Sequence, residues 1–238
     1  LGITGSAGKT TTTTLSGHIV KAAGYTTWVG GNIGDVLLDV LDQIQPDHRV
    51  VMELSSFQLE IMRLSPAYGA VLNITPNHLD RHGTMETYIE AKAHILDHQR
   101  PDDVAVLSKD DYHSRMLETR APGRVVWFSA REMVTDGAFL IGSRLAVAGA
   151  SSHDGLPHIF AERGDLQLRG DHNLLNVLAA CAITGAAGCT PEAMLTAIRA
   201  FRGVPHRLEV VRRLDDVTYI NDSIATAPER VVAALHSF

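Results

Sequence analysis

Residues 4–10 read Thr4-Gly5-Ser6-Ala7-Gly8-Lys9-Thr10, a spacing that serves phosphate chemistry. Gly5 and Gly8 let successive backbone N–H groups turn toward phosphate oxygens, and a helix opening near Lys9 brings its positive dipole end to the same point. Lys9 then supplies a point charge to the β/γ-phosphates, the Thr10 hydroxyl can ligate Mg²⁺, and Thr11 follows on the same turn. The general phosphate-loop pattern has a glycine where this chain has Ile3. A plain Gly-rich turn at a helix start is the structural alternative, and it leaves the Lys-Thr pair after the second glycine without a purpose.

A second cluster, Glu53-Leu54-Ser55-Ser56-Phe57-Gln58-Leu59-Glu60, follows an apolar run, at the kind of strand end where open α/β sheets place ligands. A carboxylate there is costly unless paired or metal-bound. Beside a phosphate loop Glu53 reads as a magnesium ligand, although a Glu followed by two serines also serves to cap a helix. A third cluster, Asn73-Ile74-Thr75-Pro76-Asn77-His78-Leu79-Asp80-Arg81-His82, follows another strand end. With 12 histidines in the chain most are structural or on the surface, and position singles out His78 alone. Lys92, in the helical pattern Glu90-Ala91-Lys92-Ala93-His94, reads from composition as a solvated cation.

Strands and helices in alternation are needed to bring these residues together. Apolar spacing, with Gly24 as a stop, predicts a helix over 10–23 and a strand over 26–29 before the turn Gly30-Gly31-Asn32-Ile33-Gly34. A helix over 35–44, ended by Pro46, and a buried strand over 49–54 come next. Strands are expected over 67–74, 104–107 and 125–128, and a helix over 84–98. That rhythm means crossover units and a mostly parallel α/β sheet flanked by helices. Residues 136–168 change to short alternating segments punctuated by glycine, read as antiparallel hairpins appended to the sheet. Helices return over 173–186 and 191–201, the second with Pro191 in its first turn.

Gly203 and Pro205 mark a boundary, so that 1–203 reads as one ATP-binding domain and 204–238 as the opening of a second α/β domain, with strands over 208–213 and 217–220 and a helix over 228–236. The phosphate loop begins within five residues of the start, leaving almost no room for the strand that normally feeds one. The first residue is Leu1, not Met, and both ends are expected to be cuts in a longer polypeptide.

Composition bounds the function. Among 238 residues, 45% are hydrophobic and 20% charged, the balance of a soluble globular chain. Lys and Arg number 21 against 27 Asp and Glu, a formal charge of -6 that offers no basic field to nucleic acid or anionic lipid. Cys181 and Cys189 have no metal-like spacing and read as buried small side chains in a reducing compartment. No run approaches the roughly 18 consecutive apolar residues of a membrane-spanning helix. A cytoplasmic monomer with small-molecule partners and neither nucleic acid nor membrane as partner is expected.

Six motifs in one order resemble those of the Mur ligases of peptidoglycan synthesis: the loop at 4–10, the octet at 53–60, Asn77-His78-Leu79-Asp80-Arg81, Gly170-Asp171-His172-Asn173 with Asn176, His206-Arg207, and Asn221-Asp222-Ser223 with Ala225-Thr226. The octet is similar to that of the branch adding D-glutamate to UDP-N-acetylmuramoyl-L-alanine. The resemblance implies a central ATPase domain and the opening of a C-terminal domain, in an enzyme where ATP phosphorylates a carboxylate and an amine attacks the acyl phosphate. By matched position, Lys9 and the loop amides would hold phosphates, Thr10 and Glu53 one Mg²⁺, and His78 a second. Lys92 aligns with a lysine that the family carbamylates, turning an ammonium beside two dications into a carboxylate-like acceptor. Asn173 and Asn176, sharing a helix face, would contact adenine; Arg207 and Asp222 would hold phosphate and ribose from across a hinge; Asn32, Ser55 and Gln58 would face the muramoyl substrate. Turn and helix-start chemistry remain alternatives for Asn32 and for the two later asparagines. Ile224 stands where many members carry lysine, so a cation is missing there.

Folylpolyglutamate synthase shares the loop and the chemistry but not the octet. A phosphate-loop switch or motor ATPase is the rival outside ligase chemistry, and an inactive nucleotide-binding fragment is the third possibility.

Overall fold

The computed structural model describes residues 1–34, 36–150, 152, 155–168, 170–206, 208–223, 225 and 228–235. Arg207, Ile224 and Thr226 of the motifs above lie outside the described residues.

The strand that feeds the phosphate loop is present after all. It is β1 (Gly2–Thr4), three residues long and wholly buried, and it lies inside the sheet, third of nine strands, rather than at an edge. Three residues suffice because both neighbours supply ladders to it. After the loop come α1 (Lys9–Ala22), β2 (Thr27–Gly31), β3 (Arg49–Glu53), the short α2 (Ser56–Leu59) and β4 (Tyr68–Val71). Then follow α3 (Leu79–His82), α4 (Met85–Asp97), β5 (Val104–Ser108), α5 (Tyr112–Met116) and β6 (Arg124–Ser129). The antiparallel run expected over 136–168 is β7 (Gly137–Ile141), β8 (Arg144–Gly149) and β9 (Gly155–Glu162). Among the described residues these strands form one nine-stranded sheet in the order β2-β3-β1-β4-β5-β6-β7-β8-β9, parallel from β2 to β7. Gly137 enters β7 at φ 134°, where a Cβ would stand 1.8 Å from the Trp127 carbonyl oxygen, so only glycine lets β7 lie this close to β6.

Helices cover both faces, which is why the central strands read as continuous apolar runs; all five residues of β5 are buried. On one face α1, α6 (Asp171–Ala186) and α7 (Pro191–Ala200) enclose Ile3, Leu15, Ile19, Val177 and Met194. On the other, α4 packs Tyr88, Ile95 and Leu96 against Leu54, Val71 and Leu107. Thr84 and Thr190 cap α4 and α7 through their hydroxyls, fixing where those helices start. Cys181 and Cys189 are free and buried, as the sequence led one to expect, and burial holds both above the ordinary thiol range. No helix among the described residues is long and apolar enough to cross a membrane.

Two expectations fail locally. The segment expected as a helix over 35–44 is a 3₁₀ turn, Leu37–Gln43, with no buried residue; Leu38 is 77% exposed. An isolated stretch of this length is marginal without a packed face. The strand expected over 67–74 stops at Val71, because residues 72–75 turn their backbone to the phosphate loop instead.

β10 (Glu209–Leu214) and β11 (Val217–Asn221) pair as a separate antiparallel hairpin, ahead of α8 (Pro228–Leu235). Asp215 and Asp216 both have positive φ, the twist a two-residue hairpin turn requires. Since β1, β3, β4, β5 and β6 are parallel, their carboxyl ends share one edge, where the loop, Glu53, Asn73 and Ser108 emerge.

Candidate active site

The phosphate loop is braced by side chains from distant segments. Gly8, the N-cap of α1, sits at φ 84°, and a Cβ there would lie 2.1 Å from Asn176 Oδ1. Asn73 pairs with Ala7 as a backbone would: Ala7 N donates to Asn73 Oδ1 at 2.9 Å and Asn73 Nδ2 donates to the Ala7 carbonyl at 3.1 Å. The Ser6 hydroxyl donates to the Thr75 carbonyl, accepts from Thr75 N–H, and lies 3.0 Å from the Tyr88 hydroxyl. Thr11 is buried within α1, and half-buried Thr10 lines the cavity that opens beside the loop.

Two cations converge behind the loop. Lys9 Nζ donates to the Gly5 carbonyl at 2.9 Å, and Lys92 Nζ donates to the same oxygen at 3.1 Å and to Thr4 Oγ1 at 3.4 Å. Lys92 is no solvated cation. It is 1% exposed, with its Nζ 4.7 Å from the centre of the Tyr88 ring. Burial, helped by the charge of Lys9, pulls its pKa down to about 7.

Glu53 closes β3 at 2% exposure. Asn32 Nδ2 donates to its Oε1 at 2.9 Å, while the equally buried Oε2 has no hydrogen-bond partner among the described residues. An orphan carboxylate oxygen fits a hard cation. Among the described residues no group of three or more His, Cys, Asp or Glu could by itself hold a metal. Mg²⁺ does not need such a cage, because it is commonly held by one or two carboxylates together with nucleotide phosphates and water.

Ser55 and Gln58 are engaged with each other. They form a capping box on α2: Gln58 N–H donates to Ser55 Oγ at 3.2 Å and Ser55 N–H to Gln58 Oε1 at 2.9 Å. His78 is exposed, in the left-handed conformation at φ 52°, with its ring edge-on to Phe57 at 5.4 Å. Burial lowers its pKa, with the charges of Lys9, His82 and Lys92 adding to the shift and Asp80 opposing it.

Asn173 and Asn176 share a face of α6, as their spacing requires; both are buried, and Asn176 Nδ2 donates to Asn173 Oδ1 at 3.2 Å. Asn176 lies against the phosphate loop, and its backbone carbonyl accepts from Thr12 Oγ1 at 3.4 Å. Asp222 accepts from Leu208 N–H at 3.1 Å and lines the same cavity as the loop. That cavity, about 350 Å³, is bounded by Gly8, Lys9, Asn176, Asp110 and Asp222. Its size and mixed lining are those of a small-molecule site.

The Mur ligase middle domain family matches residues 3–184 of this chain. The chain belongs to the Mur ligase family. Relatives named UDP-N-acetylmuramoylalanine–D-glutamate ligase are 42% identical over 239 residues in Desulfitobacterium hafniense and 43% over 238 in Clostridium botulinum. A third, in Pelotomaculum thermopropionicum, is 44% identical over 237 residues. These alignments cover 99–100% of this chain and 50–52% of the relatives, so the chain spans about half the length of the curated relatives it matches. In fold it is similar to MurF from Acinetobacter baumannii, with a TM-score of 0.77 at 22% identity over 99% of this chain and 53% of that one. A UDP-N-acetylmuramoyl-L-alanyl-D-glutamate–2,6-diaminopimelate ligase aligns with a TM-score of 0.74 at 22% identity, over 99% of this chain and 52% of that one.

This Mur ligase chain holds site residues that local reading passed over: Tyr88 contacts the loop, and Ser108, Asp110 and Arg131 line the cavity. Thr4 and Asn73, quoted within motifs but given no role of their own, contact Lys92 and the loop. The available signal was position: Asn73 and Ser108 stand at or just past the ends of parallel strands, where ligands gather.

Proposed function

We propose that this chain is the ATP-binding part of a ligase that joins the L-alanine carboxylate of UDP-N-acetylmuramoyl-L-alanine to D-glutamate, in cytoplasmic peptidoglycan precursor synthesis. The octet Glu53 to Glu60, opening at the carboxyl end of β3 in a chain 42–44% identical to relatives of that name, is the observation that carries this reading. Residues 1–203 are then the central domain and 204–238 the opening of the next, in a monomer whose partners are small molecules.

In the proposed reaction the γ-phosphoryl group passes to the substrate carboxylate and ADP leaves; the amine then attacks the acyl carbon and phosphate leaves, giving the amide. Lys9 and the amides of 5–8 bind and orient phosphates, a matter of positioning and charge neutralisation. Thr10 and Glu53 would hold one Mg²⁺, and His78 with Lys92 as its carbamate a second; bound there, the cations would offset negative charge on the phosphates. Lys92 Nζ adds CO₂ as the free amine and releases a proton, and the resulting carbamate faces Lys9. Asn173, Asn176, Arg207 and Asp222 serve the nucleoside side, and Asn32, Ser55 and Gln58 the muramoyl side.

Phosphate release tests the assignment, measured on this chain together with the flanking segments that its longer relatives have. ATP turnover should need D-glutamate plus UDP-N-acetylmuramoyl-L-alanine. Stimulation by L-glutamate plus a reduced folate instead, or hydrolysis with no carboxylate acceptor, overturns it.

A further inference from the structure

α3 touches the core at one residue. Of Leu79, Asp80, Arg81 and His82 only His82 is buried, with a side chain 1% exposed. A four-residue helix has no stability of its own, so the place of α3 is set by its contacts: His82 in the core, and on the surface Arg81, whose guanidinium lies 5.5 Å from the centre of the Phe57 ring.

The imidazole grips both ends of α2. Its Nδ1 lies 3.0 Å from Glu60 Oε1, at the C-cap of α2, and its Nε2 lies 3.0 Å from Ser56 Oγ, at the first residue. A carboxylate only accepts, so Nδ1 carries the hydrogen toward Glu60 and Nε2 meets the serine hydroxyl. Glu60, His82 and Ser56 thus stand in the order of a hydrolytic triad. Ser56 is 3% exposed, however, and no acyl group can reach its oxygen, so a nucleophile is not what the arrangement provides. The ring also stacks on Phe57, at 5.1 Å between centroids and 7° between planes, and leans on Tyr88 at 5.0 Å. Tyr88 in turn reaches Ser6 of the phosphate loop.

His78 stands at the other end of the same turn. His82 N–H donates to the His78 carbonyl at 3.0 Å, and the His78 ring lies edge-on to the same Phe57 ring. A positive φ at a non-glycine residue persists only where its surroundings fix it.

We propose that His82 is a positioning residue: by clasping both ends of α2 and stacking on Phe57, it fixes α3 and thereby holds the His78 imidazole at the edge of the site. Its consequence for cation binding rests on the reading of His78 given above; the clasp itself does not.

His82→Phe keeps a ring against Phe57 and removes both polar contacts. In protein labelled with ¹³C-histidine, the His78 ring resonance should move toward that of histidine in an unfolded chain, and an unmoved resonance overturns the proposal. In parallel, Mn²⁺ binding with a non-hydrolysable ATP analogue is read by electron paramagnetic resonance. Affinity for one Mn²⁺ should fall about tenfold in His82→Phe and further in His78→Ala. A moved resonance with Mn²⁺ binding intact in His78→Ala supports the clasp and rejects the cation reading of His78. Mn²⁺ affinity lost in His78→Ala but unchanged in His82→Phe, with an unmoved resonance, rejects the clasp alone. If His82→Phe loses the amide dispersion of a folded protein, Ser56→Ala and Glu60→Gln, each removing one bond, carry the same resonance test.

Discussion

Lys9 and Lys92 donate to the same oxygen, the Gly5 carbonyl, at 2.9 and 3.1 Å. Two ammonium groups meeting at one acceptor repel each other, and Lys92 is the one that yields, because it is buried and its pKa falls to about 7. Near neutral pH a large fraction of Lys92 is therefore the free amine, the form that the proposed carbamylation requires. Addition of CO₂ would reverse the sign at Nζ and turn the repulsion from Lys9 into attraction.

The first prediction follows from that pair. With ¹³C-bicarbonate present, a carbamate carbon signal should appear and be absent from Lys92→Ala. In the turnover assay Lys92→Ala should lose activity, and an added short-chain carboxylic acid should restore part of it. A fully active variant removes the carbamate from the scheme.

The same amine makes stability depend on pH. In CO₂-free buffer the native pKa of Lys92 is about 7 against 10.5 for the unfolded chain, so between those values the unfolded state binds more protons. Stability should therefore rise with pH across this window, by up to about 1.4 kcal/mol per pH unit from this one group. Below pH 7 both states carry the charge and the burial penalty is at its full size. Denaturant unfolding from pH 7 to 10 should show the slope, and Lys92→Met should flatten it.

Local pattern carried the sheet further than the site. The buried run that became β5 was legible because a strand covered on both faces reads as unbroken apolar sequence. The place of Glu53 at the end of β3 was legible from the apolar run before it. Lys92 was not, since burial of the Ala91-Lys92-Ala93 face depends on α4 meeting Thr4, 88 residues away. His82 escaped for the same reason; its partner Ser56 is 26 residues distant, and one histidine among 12 carries no local mark. The segment 35–44 failed in the opposite sense, with helical spacing but no surface to bury it against.

The fit between Gly8 and Asn176 gives a third prediction. A Cβ at Gly8 would sit 2.1 Å from Asn176 Oδ1, and φ at this residue is 84°. Gly8→Ala should displace either the loop or the head of α6 and cost about 1–3 kcal/mol. Asn176→Ala relieves the clash, so the double variant should recover part of the stability lost by Gly8→Ala. Nucleotide affinity should stay low in both, because the displaced Cβ still narrows the phosphate cradle. Calorimetric unfolding and titration with ATP separate the two effects.

Glu53 yields a prediction in which stability and binding move in opposite directions. Its Oε1 is satisfied by Asn32, while Oε2 is buried with no partner among the described residues. Without a cation, an unpaired buried charge works against folding. Glu53→Gln keeps the shape and the Asn32 contact and removes the charge, so in metal-free buffer the variant should be more stable, by on the order of 1 kcal/mol. With Mg²⁺ and an ATP analogue the order should reverse, because a ligand that binds only the native state stabilises it by RT ln(1 + [L]/Kd) and the variant binds it weakly. Thermal unfolding of both proteins across a Mg²⁺ series should give curves that cross. Parallel curves would mean that the cation is held elsewhere, and the orphan oxygen at the end of β3 would need another partner.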